Sequence, residues 1–168
     1  VGADTIDGGA GIDTAGYQHS EQAVTIDLSG GVFSGGEAEG DILTNIENIV
    51  GSAFADTISG DAQNNRLTLG AGSDRASGGA GSDTAVFEFA SSGIIYQVVA
   101  GELWVVQSQG TNVLSIDVLT DDIEFLEFTD TTLSFSDATN LILKGTSGDD
   151  LLIGTPVADP VEGLAGND

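Results

Sequence analysis

The chain has 168 residues and no cysteine, enough for one domain or a few small repeat units, with no disulfide framework and no thiolate metal site. Its 27 acidic residues against 3 basic ones give a formal net charge of -24, which excludes nucleic acid and anionic membrane surfaces by repulsion and points to cations as partners. Such a charge alone would suggest disorder, but a 40% hydrophobic content supplies a core, so folding is expected to depend on something that neutralises carboxylates.

Residues 1–16 open with Asp4 and Asp13 nine positions apart. The stretch Gly8-Gly9-Ala10-Gly11-Ile12-Asp13-Thr14-Ala15 reads G-G-x-G-x-D-x-U, with U small or apolar. Residues 17–50 lose that pattern. Ala23 to Leu28 alternates as a strand, Gly30-Gly31 turns, Val32-Phe33-Ser34 is a further short strand, and Gly35 to Asp41 is an acidic, glycine-rich loop. Ile42 to Ile49 again places apolar residues at nearly alternate positions.

Residues 51–86 return to the nine-residue spacing with Asp56, Asn65, Asp74 and Asp83, and Gly78-Gly79-Ala80-Gly81-Ser82-Asp83-Thr84-Ala85 repeats the full pattern. Each tripeptide after the Asp predicts a very short strand with its middle residue inward. The inward row is then Ile6, Ala15, Ile58, Leu67, Ala76, Ala85, Leu152 and Val161. Residues 87–143 differ: three of the 25 glycines and seven of the ten aromatics fall there. Ala85–Phe89, Ile94–Val99, Leu103–Gln107, Val113–Leu119 and Ile123–Phe128 read as strands, with Ala100-Gly101 reversing the chain in a hairpin. Phe87, Phe89, Tyr96, Trp104, Phe125, Phe128 and Phe135 are expected to form a core for a small antiparallel sheet that caps the preceding array. Residues 144–168 start a third block with Asp150, Asp159 and Asp168. Leu43 to Ile49 and Leu119 to Phe125 echo each other with one residue inserted. A chain that starts and stops inside such a block reads as an excerpt of a longer array.

The nonapeptides resemble the hemolysin-type RTX calcium-binding repeat G-G-x-G-x-D-x-U-x. The resemblance covers residues 1–16, 51–86 and 145–168. It implies an all-β chain of parallel β-roll blocks, joined by a β connector at 17–50 and a small antiparallel segment at 87–143. Glycines allow carbonyl oxygens to point inward in tight turns, and an Asp adds the hard anionic oxygen that calcium requires. The family pattern implies as calcium-site residues Asp4, Gly9, Gly11, Asp13, Asp56, Gly70, Gly72, Asp74, Gly79, Gly81, Asp83, Gly148, Asp150, Asp159, Gly166 and Asp168. It further implies that turns eighteen residues apart share an ion. Asp56 then pairs with Asp74, Asp150 with Asp168, and Asn65 faces Asp83. Asp159 lacks a visible partner. Asp4 and Asp13 lie on opposite edges, with partners outside the perfect repeats. Asn65 replaces a carboxylate, and Gly60-Asp61-Ala62-Gln63 lacks two glycines, so that site is expected to be weak or empty.

Other features read more plainly. Asp121, Asp122, Glu124, Glu127 and Asp130 suit the wet face of a strand. Glu47 and Glu124 suit hydrogen bonds to a nearby turn. His19 has no nucleophile pattern beside it and suits an exposed loop. Trp104 suits the core, and Arg66, Arg75 and Lys144 are too scattered for an anion site. No signal peptide or membrane-length apolar run is visible. The expected function is a non-catalytic module that folds on calcium outside the cell. Its setting is a spacer in a secreted or surface-attached bacterial adhesin, S-layer or fibre protein that self-associates, or the secretion and folding region of a larger type I-secreted enzyme.

Overall fold

The computed structural model describes residues 2–109 and 112–141. Leu152, Val161, Lys144 and the candidate site residues Gly148, Asp150, Asp159, Gly166 and Asp168 lie outside the described residues. Three-residue strands dominate: β1 (Thr5–Asp7), β2 (Thr14–Gly16), β3 (Thr25–Asp27), β4 (Val32–Ser34), β5 (Ile42–Thr44), β6 (Asn48–Val50), β7 (Thr57–Ser59), β8 (Arg66–Thr68), β9 (Arg75–Ser77) and β10 (Thr84–Val86). Three longer strands follow, β11 (Ile94–Val99), β12 (Glu102–Gln109) and β13 (Asn112–Leu119), then β14 (Phe125–Glu127), β15 (Thr132–Ser134) and a helix, α1 (Phe135–Leu141).

The chain winds between two sheets, as an RTX β-roll does. One runs β15-β14-β10-β8-β6-β2 and the other β11-β12-β13-β9-β7-β3-β4, while β1 and β5 pair separately. Strands two steps apart in sequence pair in parallel, β7 with β9 and β8 with β10, because each nonapeptide carries the chain across to the opposite sheet. Triplets buried only at their centres stack into two inward columns. Ala15, Ile49, Leu67, Ala85 and Leu126 are in register along one sheet. Ile26, Ile58, Ala76, Leu119 and Leu103 are in register along the other. All ten are buried, and a three-residue strand gains its stability from this stacking, since it is too short to hold itself.

Ile6 departs from the expected row. It pairs with Leu43 in the two-stranded β1–β5 sheet and is 40% exposed, because no strand packs over it from the main sheets.

The segment after β10 contributes more than a cap. β11, β12 and β13 form the antiparallel meander, with Ala100 and Gly101 at φ 54 and 92 supplying the tight hairpin turn. Yet β13 also pairs in parallel with β9, and β14 in parallel with β10, so the roll gains a rung on each sheet. Phe87 stacks on Phe128 with centroids 4.9 Å apart, and Phe89 and Tyr96 pack around them. Phe135 joins that core partly buried. Phe125 points outward at 40% exposure and Trp104 is half-buried, because both sit beside an inward residue and strand alternation turns them away.

Candidate calcium-binding turns

Three turns that share the G-x-G-x-D core, two of them with the full G-G-x-G-x-D pattern and one with Leu69 in first place, have one backbone geometry. Gly9 and Gly11 have φ 85 and 138, Gly70 and Gly72 have 89 and 135, and Gly79 and Gly81 have 93 and 133. The turns of Gly70 and Gly79 stack directly on imperfect turns. A Cβ on Gly70 would meet the Ser52 carbonyl oxygen at 2.0 Å, and one on Gly79 would meet the Asp61 carbonyl oxygen at 2.1 Å. The bare glycines therefore let main-chain carbonyls of neighbouring rungs crowd the edge of the roll.

The acidic side chains link the rungs in a one-way chain. Along one edge the Val24 N–H donates to Asp56 Oδ1 at 2.8 Å, the Asp56 N–H to Asp74 Oδ1 at 2.8 Å, and the Asp74 N–H to Asp117 Oδ1 at 3.0 Å. Along the other, the Asn65 N–H donates to Asp83 Oδ1 at 2.7 Å and the Asp83 N–H to Glu124 Oε2 at 2.6 Å. The Asp13 N–H donates to Glu47 Oε2 at 2.9 Å, and the Asp4 N–H to Asp41 Oδ1 at 2.9 Å. The expected juxtapositions of Asp56 with Asp74 and of Asn65 with Asp83 are thus present. Asp4 and Asp13 find partners in the connector, outside the perfect repeats.

Sequence reasoning missed Asp41 and Asp117 as members of these ladders. A signal was available: Asp41-Ile42-Leu43 and Asp117-Val118-Leu119 keep an acid two positions before an inward apolar residue, as Asp74-Arg75-Ala76 does. Without the glycines that spacing was too slight to notice. Glu47 and Glu124 do hydrogen-bond to turns. Asp122, expected on a wet face, has a structural post as well. Its carboxylate accepts the Gly78 and Gly79 N–H groups at 3.0 and 3.1 Å and the Ser77 hydroxyl at 2.7 Å. Burial pushes its carboxyl up, but the Thr120 hydroxyl, followed by Ser77, Gly78 and Gly79, outweighs that and holds it below the usual carboxylate range. Glu127 pairs with Arg66, and Arg75 with Glu102, so each arginine ties the repeat block to the 87–143 segment. His19 is exposed.

The carboxylates differ in how fully the protein satisfies them. Asp56 is served by Val24, by the Ser52 N–H at 2.5 Å and by the Ser52 hydroxyl at 2.7 Å. Asn65 is satisfied too, accepting the Asp61 N–H at 2.8 Å and donating to the Glu47 carbonyl at 3.0 Å. By contrast, Asp13 Oδ2, Asp74 Oδ2 and Asp83 Oδ2 are buried with no hydrogen-bond partner. An orphaned carboxylate oxygen costs several kcal/mol in its charged form, by order of magnitude. Burial pushes the Asp74 carboxyl up to about 8, with the charges of Asp117 and Asp56 adding to it, and pushes Asp117 up to about 6. Asp83 is raised for the same main reason, desolvation, with Glu124, Asp122 and Asp61 nearby.

These residues fit a bound calcium ion. Among the described residues no three acidic or histidine side chains converge as a ready-made metal cluster, so turn carbonyls must supply part of any cation shell. Calcium accepts such a mixture of carboxylate and carbonyl oxygens, and tolerates irregular geometry. The residues that would hold it are Asp13, Asp74 and Asp83 with the carbonyls of their own and adjacent turns. The ion would supply the positive charge that the orphaned oxygens lack.

Comparison with known families gives a direct match. The RTX calcium-binding nonapeptide repeat is found in four copies, over residues 1–15, 48–85 and 142–168. No curated protein matches the chain.

Proposed function

Starting from a chain that carries RTX calcium-binding nonapeptide repeats, whose family binds calcium, we propose that residues 2–141 form a calcium-responsive folding module. The orphaned, buried oxygens of Asp13, Asp74 and Asp83 carry this reading. Without a cation, those three oxygens stay unsatisfied in a chain whose net charge is -24. Calcium bound between rungs removes that penalty. Extracellular calcium modules bind at ~10⁻⁴–10⁻³ M. Each site stabilises the folded state by about 2.7 kcal/mol at one hundred times its dissociation constant, so several sites make folding steeply calcium-dependent.

RTX repeats are typical of secreted proteins, and no helix among the described residues is long and apolar enough to cross a membrane. The module is non-catalytic and serves as a stiff spacer in a secreted or surface-attached protein. Repeat matches on both sides of the 87–141 segment favour a spacer role. The test is circular dichroism during calcium titration, with magnesium as control. Calcium produces a β signal that a chelator removes, and magnesium, which demands tighter octahedral geometry, does little. Spectra that ignore calcium and chelator alike overturn the proposal.

A further inference from the structure

Asp117 belongs to no nonapeptide. It lies in β13, at the end of the meander that starts with β11, and the chain reaches it only after leaving the roll at Val86. Even so, three hydrogen bonds dock it beside the Asp74 turn. The Asp74 N–H donates to Asp117 Oδ1 at 3.0 Å, the Val118 N–H donates to the Asp74 carbonyl at 2.7 Å, and the Ile116 N–H donates to Ser73 Oγ at 3.0 Å. Asp74 and Asp117 are each 2% exposed. Asp74 Oδ2 has no partner, and among the described residues both arginines are engaged elsewhere, with Glu127 and Glu102. Two buried carboxylates thus lie on adjacent rungs, the Asp117 one at the Asp74 N–H and the Asp74 one with a spare oxygen, and no described residue supplies a cation to either.

From this we infer a calcium site shared between the repeat turn of Asp74 and the inserted β13 strand, with Asp117 as a ligand. This deepens the calcium-module reading and rests on it. The consequence is that calcium fastens the β11–β13 meander to the roll, so the insertion orders together with the repeats.

Asp117→Asn separates charge from structure, because the amide oxygen still accepts the Asp74 N–H. In the full chain, calorimetric titration of wild type with calcium should show one equivalent more than the variant. Trp104, the sole tryptophan, pairs in register with Val118, next to Asp117. Terbium, used as a calcium mimic, should therefore give tryptophan-sensitised luminescence in wild type that Asp117→Asn loses. A wild type that binds no calcium sinks the module reading itself. A wild type that binds calcium, with a variant of unchanged stoichiometry, affinity and luminescence, sinks only the Asp117 site. Should the variant fail to fold, wild type alone decides: luminescence through Trp104 supports the site, and its absence overturns it.

Discussion

Asp74 accepts the backbone N–H of Asp56, eighteen residues earlier, on Oδ1 at 2.8 Å and keeps Oδ2 buried without a partner. One oxygen therefore stitches rungs together while the other is left without a donor among the described residues. The same division of labour holds at Asp83, whose Oδ1 takes the Asn65 N–H at 2.7 Å.

Asp83→Asn should expose that division. The amide oxygen keeps the bond from Asn65, and the buried charge disappears. Calcium-free stability is expected to stay level or rise, while the calcium midpoint shifts upward about tenfold, equivalent to about 1.4 kcal/mol. Asp56→Asn should behave oppositely and destabilise the calcium-free chain by about 1–3 kcal/mol, since its one amide oxygen cannot replace both Oδ1, which takes the Val24 N–H, and Oδ2, which takes the Ser52 N–H. Urea melts with chelator and with calcium measure both. Equal responses of the two variants would contradict the account.

Acidity should stabilise the calcium-free module. The Asp74 carboxyl, raised from 3.8 to about 8 by burial, binds a proton more tightly folded than unfolded. Its contribution is complete below the unfolded value and disappears as pH rises through the folded one. Chelated protein should melt at a higher temperature near pH 5 than near pH 8. Calcium affinity should run the other way, weakening as protons compete for the ligands. A chelated melting temperature that climbs between those pH values would refute the burial argument.

Asn65→Asp converts the satisfied rung into a charged one. The carboxylate loses the donation to the Glu47 carbonyl and faces that oxygen instead. Without calcium the cost should be about 1–3 kcal/mol. With calcium it should shrink, because the new carboxylate offers another hard ligand. A loss of the same size under both conditions would show that no ion reaches this rung.

Two glycines separate backbone conformation from crowding. Gly9, at φ 85, has nothing within 4 Å of a Cβ, whereas Gly79, at φ 93, would put one 2.1 Å from the Asp61 carbonyl oxygen. Gly9→Ala should cost about 1–2 kcal/mol through conformation alone. Gly79→Ala should add about 1–3 kcal/mol of overpacking and lower calcium affinity. Thermal melts of the two variants with and without calcium test the difference.

Much of this protein is written in local spacing. Nine-residue periodicity placed Asp56, Asn65, Asp74 and Asp83 on alternating edges, because glycine turns and three-residue strands are decided by neighbours in sequence. The hairpin at Ala100-Gly101 was legible for the same reason, as positive φ at both turn positions matches the strand twist. The resemblance of Leu43–Ile49 to Leu119–Phe125 also had a physical meaning: Glu47 holds the Asp13 N–H as Glu124 holds that of Asp83.

The tertiary structure was needed to place Asp117 and Asp41 in the ladders: the spacing they share with Asp74 is too slight alone, since a chain returning from a long excursion meets its rung through parallel pairing that leaves no fixed separation in sequence. It alone turned Phe125 outward and left Ile6 uncovered, because those fates depend on which strand lies opposite. It also distinguished Asp56 from Asp74, two identical letters in one pattern. How well a carboxylate is satisfied is set by the donors that surround it in space: Ser52 satisfies the first, and among the described residues nothing satisfies the second oxygen of the other.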